Sequence, residues 1–174
     1  PRALVGYKTM NRYEYFLKLV DYAPLDVPLL DSKFQIRTVQ KEDVPALAEL
    51  MIASYRGTID YDGETYEDAL GEVKAFMAGE RGGAPWLDLS YVVTVDSQVV
   101  GACLVGEWQA RNLPLIAYVM TSAEWKNHEL SHSLLIQTLQ SLKQKGTTEV
   151  RAVITEGNTP SENLFLKNGF QRIV

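Results

Sequence analysis

The chain has 174 residues with 17 Lys and Arg, 22 Asp and Glu, and a net charge of −5, which favours one domain and argues against a protein that binds nucleic acid through a basic face. Cys103 is the only cysteine and there are two histidines, so an internal disulfide is excluded and a structural zinc site is close to excluded. No apolar run reaches the ~18 residues of a membrane span, no signal peptide is visible, and the cysteine usage favours a reducing compartment, so we expect a cytoplasmic protein without membrane contact.

Residues 1–33 form an N-terminal extension whose structure the pattern leaves open. Apolar residues alternate as in a strand at Tyr13, Tyr15, Leu17 and Leu19. The run from residue 15 to residue 20 also fits a turn of helix. Pro24 and Pro28 then indicate an extended connector.

Regular elements are predicted from residue 34 onward. Alternation of apolar and polar residues predicts a strand over 34–39. Apolar residues spaced by three and four predict a helix over 41–55 and a weaker one over 65–78. Two β-rich runs, 89–95 and 98–108, are separated by Asp96-Ser97 and predict a hairpin.

The second half of the chain predicts a parallel pair of strands. An apolar run over 113–121 is typical of a strand buried on both faces. A leucine stripe predicts a helix over 129–145, and a further strand follows over 149–155. This order implies parallel pairing and a three-layer α/β/α domain over 34–174. A capping box at 159–162 begins a short helix, and a last strand begins at Phe170.

Two segments carry recognisable motifs. The run VMTSAEWKNHELSHSLL, from Val119 to Leu135, joins a buried strand to a long helix, and NTPSENLFLKNGF runs from Asn158 to Phe170. Together with the order of elements, these segments resemble the GNAT superfamily of N-acetyltransferases, which pass the acetyl group of acetyl-CoA to an amine. The resemblance implies an α/β fold with a central mixed, partly splayed sheet, and acetyl-CoA as co-substrate.

The family's R/Q-x-x-G-x-G/A turn receives the cofactor's pyrophosphate, and here Lys126, Glu129 and Ser131 stand at its three defined positions. A helix N-terminus suits a phosphate because it offers N–H groups without partners and a partial positive charge. An ordinary helix start capped by Asn127 is the alternative interpretation. The resemblance implies a cofactor-binding set of Val119, Met120, Thr121, Lys126, Asn127, His128, Glu129, Leu130, Ser131, Asn158, Ser161 and Phe165.

Three residues depart from the family pattern. Glu129 places a carboxylate where the pyrophosphate docks, although a Glu in the first turn also favours the helix. Phe165 stands where the family has the tyrosine that serves the leaving thiolate, and Val153 stands where some members have a carboxylate base. The candidate catalytic residues are therefore Tyr118 and Glu107, with Tyr55 or a water as further sources of the acid.

Acidic residues cluster between residues 58 and 78. Asp60, Asp62 and Glu64, with Trp108 from the opposite wall, are the candidate substrate-binding residues for a cationic amine, which is either a small molecule or part of a protein. A solvated acidic helix face is the alternative. The two histidines, His128 and His132, lack a third ligand, so no metal site is predicted.

The sequence thus supports two functions. The first is an N-acetyltransferase in which a primary amine attacks the thioester directly. The second is a catalytically impaired module of the same fold that binds acyl-CoA or regulates, as the three departures suggest. The sequence also stops one strand short of the family's sheet, and residues 13–19, from this chain or from the second copy in a homodimer, are the candidate for that strand.

Overall fold

A computed structural model describes residues 10–174, and the first nine residues of the N-terminal extension lie outside the described residues. A seven-stranded mixed sheet lies at the centre, with the strand order β2-β3-β4-β5-β6-β1-β7. The strands are β1 (Arg12–Lys18), β2 (Gln35–Thr38), β3 (Tyr91–Val95), β4 (Gln98–Trp108), β5 (Leu113–Thr121), β6 (Glu149–Thr155) and β7 (Gln171–Arg172). The helices are α1 (Val44–Tyr55), α2 (Tyr66–Met77), α3 (Leu130–Gln144) and α4 (Thr159–Lys167). None of these helices is long and apolar enough to cross a bilayer.

The predicted α/β fold is confirmed. The strands predicted over 98–108, 113–121 and 149–155 have the same bounds in the structure. The helix predicted over 41–55 begins with a 3-10 turn, Lys41–Asp43, and becomes α-helical at Val44, so that Pro45 occupies the first turn, where no backbone hydrogen bond is lost. The last strand is shorter than predicted, with only two paired residues.

Hydrophobic side chains pack against both faces of the sheet and give the predicted three layers. On one face, α3 buries its leucine stripe at Leu130, Leu134, Leu135, Leu139 and Leu142. On the other face, α1 and α2 contribute Leu47, Val73 and Phe76. Cys103 lies fully inside the first core, where burial raises the pKa of its thiol to about 12, so the thiol is an inert core group.

The sheet opens between β5 and β6. These two strands are parallel, as predicted, but they pair only at Leu115 with Arg151 and at Ile116 with Ala152. The neighbouring strand β4 pairs Leu104 with Tyr118 and Val105 with Ile116, so Ala117 is the extra residue of a bulge in β5. The backbones of β5 and β6 diverge beyond this bulge, and we call the resulting gap the notch.

The N-terminal segment forms a strand of the same sheet. Strand β1 lies between β6 and β7 and runs antiparallel to both, pairing from Arg12 with Thr155 to Lys18 with Glu149. Tyr15 and Leu17 are buried while their neighbours are more exposed, which is the alternation of a strand. In this structure the strand that completes the sheet therefore comes from the chain itself.

An ion pair ties β2 to the start of α1. Both oxygens of the buried Asp43 carboxylate accept hydrogen bonds from Arg37 at 2.8 Å, and Asp43 Oδ2 also accepts from the Gln40 N–H at 2.8 Å. Burial alone would raise the pKa of Asp43, but these hydrogen bonds outweigh burial and lower it. The carboxylate is therefore ionised at neutral pH and matched by its partners.

We expect Asp43→Asn to lower the free energy of unfolding by about 1–3 kcal/mol, because it leaves the half-buried Arg37 without its charged partner. Glu49→Gln on the exposed face of α1 is the matched control and should change little. Since the folded pKa of Asp43 lies below its ordinary value of 3.8, its contribution is present above pH ~4 and is lost as the pH falls through the folded pKa. Urea unfolding of both variants at pH 7 and pH 3 measures this, and equal curves for the two variants contradict it.

Candidate functional site

Two adjoining cavities meet at the notch. The acidic cavity, of about 440 Å³, is lined by the α1–α2 loop, α2, β5 and β6. The second cavity, which we call the groove, measures about 830 Å³ and is lined by the end of α1, the turn before α3 and the start of α4. The residues that line both are Tyr55, Val119, Asn158 and Ser161. The cavities therefore share one junction.

The turn before α3 has a glycine-like backbone without containing glycine. Asn127 and Glu129 have φ angles of 67° and 60°, in the left-handed region that glycine adopts most easily. Helix α3 begins after Glu129, whose side chain does not cap it. The backbone N–H groups of Leu130, Ser131 and His132 have no acceptor within residues 10–174. Asn127 therefore does not cap α3, because the helix begins after Glu129.

Glu129 lies in the groove and contacts two basic side chains. Its Oε2 is 3.1 Å from His132 Nδ1 and 3.4 Å from Lys167 Nζ. The hydrogen bond with His132, with the nearby charge of Lys167, lowers the pKa of Glu129 against a smaller effect of burial. The carboxylate is thus ionised at neutral pH and stands beside the N-terminus of α3.

The groove fits a pyrophosphate except at Glu129. Three N–H groups at a helix N-terminus, with Lys126 and Lys167 among the lining residues, form a site for an anion. A hydrogen bond of 2.5 Å between Thr121 Oγ1 and Ser131 Oγ anchors the turn to β5. The Glu129 carboxylate repels the same anion, so it must move, or its charge must be offset by Lys167.

The acidic cavity is suited to a cation. Its lining carboxylates are Asp60, Glu64, Asp68 and Glu72, and Arg12 of β1 is the one cation among the lining residues that the structure describes. Asp68 is committed to the capping box of α2, where it accepts from the Thr65 N–H and hydroxyl. Glu64 accepts from the Asp62 N–H at 2.8 Å, which shapes the loop around the cavity.

Asn158 connects this cavity to the groove. Its Oδ1 accepts from the Ser161 N–H at 3.2 Å and so caps α4, while its Nδ2 donates to Asp60 Oδ2 at 2.7 Å. The other oxygen, Asp60 Oδ1, is buried and has no hydrogen-bond partner within the described part of the chain. A buried carboxylate oxygen without a partner is costly, and a protonated amine in the cavity would satisfy it.

A chain of hydrogen bonds forms another wall of the acidic cavity. The Tyr118 hydroxyl donates to Glu72, and Glu72 receives two hydrogen bonds from Arg81, at 2.7 and 2.9 Å. The hydrogen bond from Arg81 lowers the pKa of Glu72 more than burial raises it. Burial and the neighbouring carboxylate raise the pKa of Tyr118. Since its proton is committed to Glu72, Tyr118 can accept a hydrogen bond from a substrate but has no proton to donate.

Some of the sequence-predicted residues lie outside both cavities. The Glu107 side chain accepts a hydrogen bond from the Ala84 N–H at 3.3 Å. The Arg111 Cζ atom lies 5.3 Å from the centroid of the Trp108 ring. Met120 is fully buried in the core, and His128 packs against the rings of Phe34 and Trp125, which also contact each other. The predicted residues that do line a cavity are Asp60, Glu64, Tyr118, Val119, Thr121, Lys126, Asn127, Glu129, Leu130, Ser131, Asn158, Ser161 and Phe165. Asp62 is not among the lining residues of either cavity.

Sequence analysis did not identify Arg12 or Lys167 as site residues, and it placed Glu72 in the acidic cluster without giving it a role of its own. Glu72 belongs to the acidic stretch that the sequence displays, but its contact with Tyr118 is visible only in three dimensions. Nothing in the sequence places Arg12 beside the α1–α2 loop. Within residues 10–174 no group of three or more His, Cys, Asp or Glu side chains is arranged to hold a metal ion.

Comparison with known proteins identifies a family. Residues 33–171 match the model of the acetyltransferase (GNAT) domain. No curated protein sequence matches the chain.

Solved structures share the fold at low sequence identity. A GCN5-related N-acetyltransferase from Sphaerobacter thermophilus is 20% identical with a TM-score of 0.69, over 97% of this chain and 50% of its own length. A tandem GNAT protein from the clavulanic acid biosynthesis pathway is 16% identical with a TM-score of 0.69, over 95% and 51%. The PaiA N-acetyltransferase from Thermoplasma acidophilum, solved in complex with coenzyme A, is 20% identical with a TM-score of 0.59, over 79% and 89%. The chain thus spans about half the length of the first two proteins.

Proposed function

Because the chain belongs to the GNAT acetyltransferase family, we propose that it transfers the acetyl group of acetyl-CoA to a primary amine by direct attack of the amine on the thioester. The observation that carries this proposal is the junction of an anion-binding groove with an acidic cavity at the notch. The two reactants would enter from different sides and meet there. Proximity and orientation then supply most of the rate.

Val119 is the residue that would hold the thioester carbonyl. The Thr121 N–H donates to Ser54 Oγ at 3.2 Å and so points away from β4. Val119 lies two residues earlier on the same strand, so its N–H points the same way. Beyond the bulge β6 no longer pairs with β5, and the Val119 N–H therefore faces the notch. An oriented N–H donor there stabilises the negative charge that develops on the carbonyl oxygen.

The groove would bind the pyrophosphate of CoA. The N–H groups of Leu130, Ser131 and His132 supply donors, and Lys126 and Lys167 supply positive charge. The acetyl end would then lie toward Val119, at the junction.

The acidic cavity would hold the acceptor as a cation. Asp60 Oδ1 has no hydrogen-bond partner among residues 10–174, and the Tyr118 hydroxyl can accept a hydrogen bond from the same ammonium group. The amine must lose a proton before or during its attack on the carbonyl carbon. Because Glu72 has a lowered pKa, it is a weak base and does not remove the proton efficiently by itself. We propose that the amine proton leaves to solvent through water held by the carboxylates of the acidic cavity. The acceptor is therefore a small molecule or a protein segment with an accessible amine.

Two measurements on the wild-type protein test the proposal. Calorimetry with CoA should show binding, and release of CoA thiol from acetyl-CoA should depend on an added cationic amine. Absence of binding at millimolar CoA contradicts the proposal. Binding of CoA with no transfer to any amine of a broad panel would favour the second candidate, a catalytically impaired acyl-CoA-binding module, which Glu129 in the groove and Phe165 in place of a tyrosine support.

We expect Asp60→Asn combined with Glu64→Gln to raise the KM for a cationic amine roughly 10-fold or more, because each change removes a carboxylate that lines the acidic cavity. The effect should shrink as salt is added, since salt screens the attraction. Asp62→Asn is the matched control: it removes a charge from the same loop but outside the cavity, and its KM should stay near wild type. Equal KM values for the two variants would show that the loop's charge acts without specific contact.

A further inference from the structure

We propose that Tyr55, the last residue of α1, donates the proton that the CoA sulfur takes up as the carbon–sulfur bond breaks. It would replace the hydroxyl that is absent at Phe165. This inference rests on the proposed acetyl transfer and assigns its acid. The acid must reach the sulfur, which in the proposed reaction would lie where the groove opens into the acidic cavity.

Tyr55 stands where the two cavities meet. Among the tyrosines of residues 10–174, only Tyr55 lines both cavities, whereas Tyr61 and Tyr118 line the acidic cavity alone. The amine and the sulfur are bonded to the same carbonyl carbon during the reaction, so a group that serves the sulfur must stand at the junction. Tyr55 meets this requirement together with Val119, which would hold the carbonyl oxygen.

Several other hydroxyls near the junction are already committed, although Ser161 also lines both cavities. Tyr118 donates to Glu72, and the hydroxyls of Thr121 and Ser131 bond to each other. The Thr58 hydroxyl donates to the Tyr55 carbonyl at 2.8 Å. Phe165 has no hydroxyl, and its ring packs edge-on against the ring of Phe170 with the two centroids 4.9 Å apart. These groups are therefore poorly placed to serve a sulfur atom in the groove.

Tyr55 is also held firmly and stays protonated. Its carbonyl accepts from the Thr58 N–H at 2.9 Å as well as from the Thr58 hydroxyl, which fixes the end of α1. Burial, followed by the charges of Asp60 and Glu72, raises the pKa of the Tyr55 phenol, while Arg12 opposes them. Tyr118 is the remaining titratable neighbour. The hydroxyl is thus a proton donor throughout the physiological pH range.

The proton balance is closed. The bound ammonium group loses its first proton to solvent through a carboxylate and water, as proposed above. The amine nitrogen then forms its bond to the carbonyl carbon and loses a second proton, while the carbon–sulfur bond breaks and its electron pair stays on sulfur. Tyr55 gives its hydroxyl proton to that sulfur, which yields the CoA thiol. A water passes the proton lost by nitrogen back to the Tyr55 oxygen. The net change is the release of one proton from the ammonium group to solvent and the movement of a second proton from nitrogen to sulfur, and no further reactant is needed.

The first test compares Tyr55→Phe with Tyr66→Phe, a control on α2 that lines neither cavity. We expect Tyr55→Phe to lower kcat by about 10²- to 10⁴-fold, with the KM values and the Kd for CoA within about threefold of wild type. Tyr66→Phe should leave all of these unchanged. Because the ring is retained, a loss confined to kcat identifies the hydroxyl and not packing.

The second test needs no acceptor. The thiolate of bound CoA absorbs in the ultraviolet, and its titration reports hydrogen bonding to sulfur. A phenol that donates to the thiolate should make bound CoA ionise about one pH unit lower in wild type than in Tyr55→Phe. If Tyr55→Phe unfolds, 3-fluorotyrosine at position 55 keeps the shape while acidifying the phenol, and bound CoA should then ionise at a lower pH than in wild type because the stronger donor stabilises the thiolate more.

The outcomes distinguish a wrong assignment of Tyr55 from a wrong proposed function. If Tyr55→Phe keeps kcat within threefold of an active wild type, or if the thiol of bound CoA titrates identically in both proteins, the assignment of Tyr55 is overturned and the transferase function stands. A bound CoA thiol that titrates in the fluorotyrosine protein as it does in wild type likewise overturns it. If the wild type neither binds CoA nor transfers acetyl groups, the proposed function fails and the assignment of Tyr55 fails with it.

Discussion

Val119→Pro is expected to lower kcat for acetyl transfer by about 10²- to 10³-fold, the usual effect of removing one donor from an oxyanion site. Proline has no N–H group, and the Val119 N–H is the one that faces the notch. Because this N–H points away from β4, its loss breaks no hydrogen bond of the β4–β5 ladder. Tyr118, the residue before it, is already extended, which is the conformation that a following proline requires.

Val119→Ala keeps the N–H group and is the matched control for the side chain. We expect its kcat to stay within a few-fold of wild type. Melting curves of both variants establish whether the sheet is intact, and calorimetry establishes whether CoA still binds. An intact Val119→Pro protein that binds CoA and turns over at the wild-type rate would place the carbonyl oxygen against a different donor.

Much of the fold follows from local patterns of the sequence. Strands β5 and β6 were predicted with their observed bounds because a continuous apolar run and a leucine-rich crossover helix leave few alternatives. The capping box that begins α4 is a local signal as well, although the residue that caps the helix is Asn158. These features depend on residues within a few positions of one another, and that is the range over which sequence patterns are informative.

The placement of β1 does not follow from such patterns. Apolar residues are adjacent in the segment from 15 to 20, so its pattern fits a strand and a short helix equally well. The partner that decides between them is β6, which lies more than a hundred residues away in the sequence and pairs with all of β1. The same distance hides the position of Arg12 in the acidic cavity.

The contacts that make the site are likewise long-range. The hydrogen bond from Asn158 to Asp60 joins a predicted cofactor-binding residue to a predicted substrate-binding residue. The hydrogen bond from Tyr118 to Glu72 joins β5 to α2. The sequence indicated most of these residue types but assigned them separate roles. Glu107 and Trp108 were proposed for the opposite wall because they end β4, yet their side chains contact the loop at Ala84 and Arg111.

The turn before α3 keeps the backbone conformation of the family motif although it lacks the motif's glycines. Because the motif's glycines are absent, the sequence predicts Glu129 in the first turn of the helix, where the dipole favours a carboxylate. The structure instead gives Glu129 a left-handed backbone, as a glycine would have at that place. For a residue with a side chain this conformation costs about 1 kcal/mol or more. The geometry of an anion-binding turn is therefore kept while the residue that best supports it is absent.

Glu129→Gly is accordingly expected to tighten CoA binding by roughly 5- to 100-fold, which corresponds to removing about 1–3 kcal/mol of repulsion between a carboxylate and a pyrophosphate. The hydrogen bond with His132 lowers the pKa of Glu129, so the repelling charge is present at neutral pH. Glycine also relieves the backbone strain, which offsets the loss of contacts with His132 and Lys167. The melting temperature without ligand should therefore be unchanged or slightly higher.

Two companion variants separate charge from backbone in this prediction. Glu129→Asn removes the charge but keeps a side chain that tolerates the left-handed conformation, so it should give most of the gain in affinity. Asn127→Gly relaxes the neighbouring strained position without changing charge, so it should raise stability by up to ~1 kcal/mol and leave the Kd for CoA near wild type. Calorimetry on all three variants measures these effects. If Glu129→Gly and Glu129→Asn bind CoA no better than wild type, the carboxylate stays with His132 and Lys167 and away from the pyrophosphate, and the departure from the family turn has no effect on the cofactor.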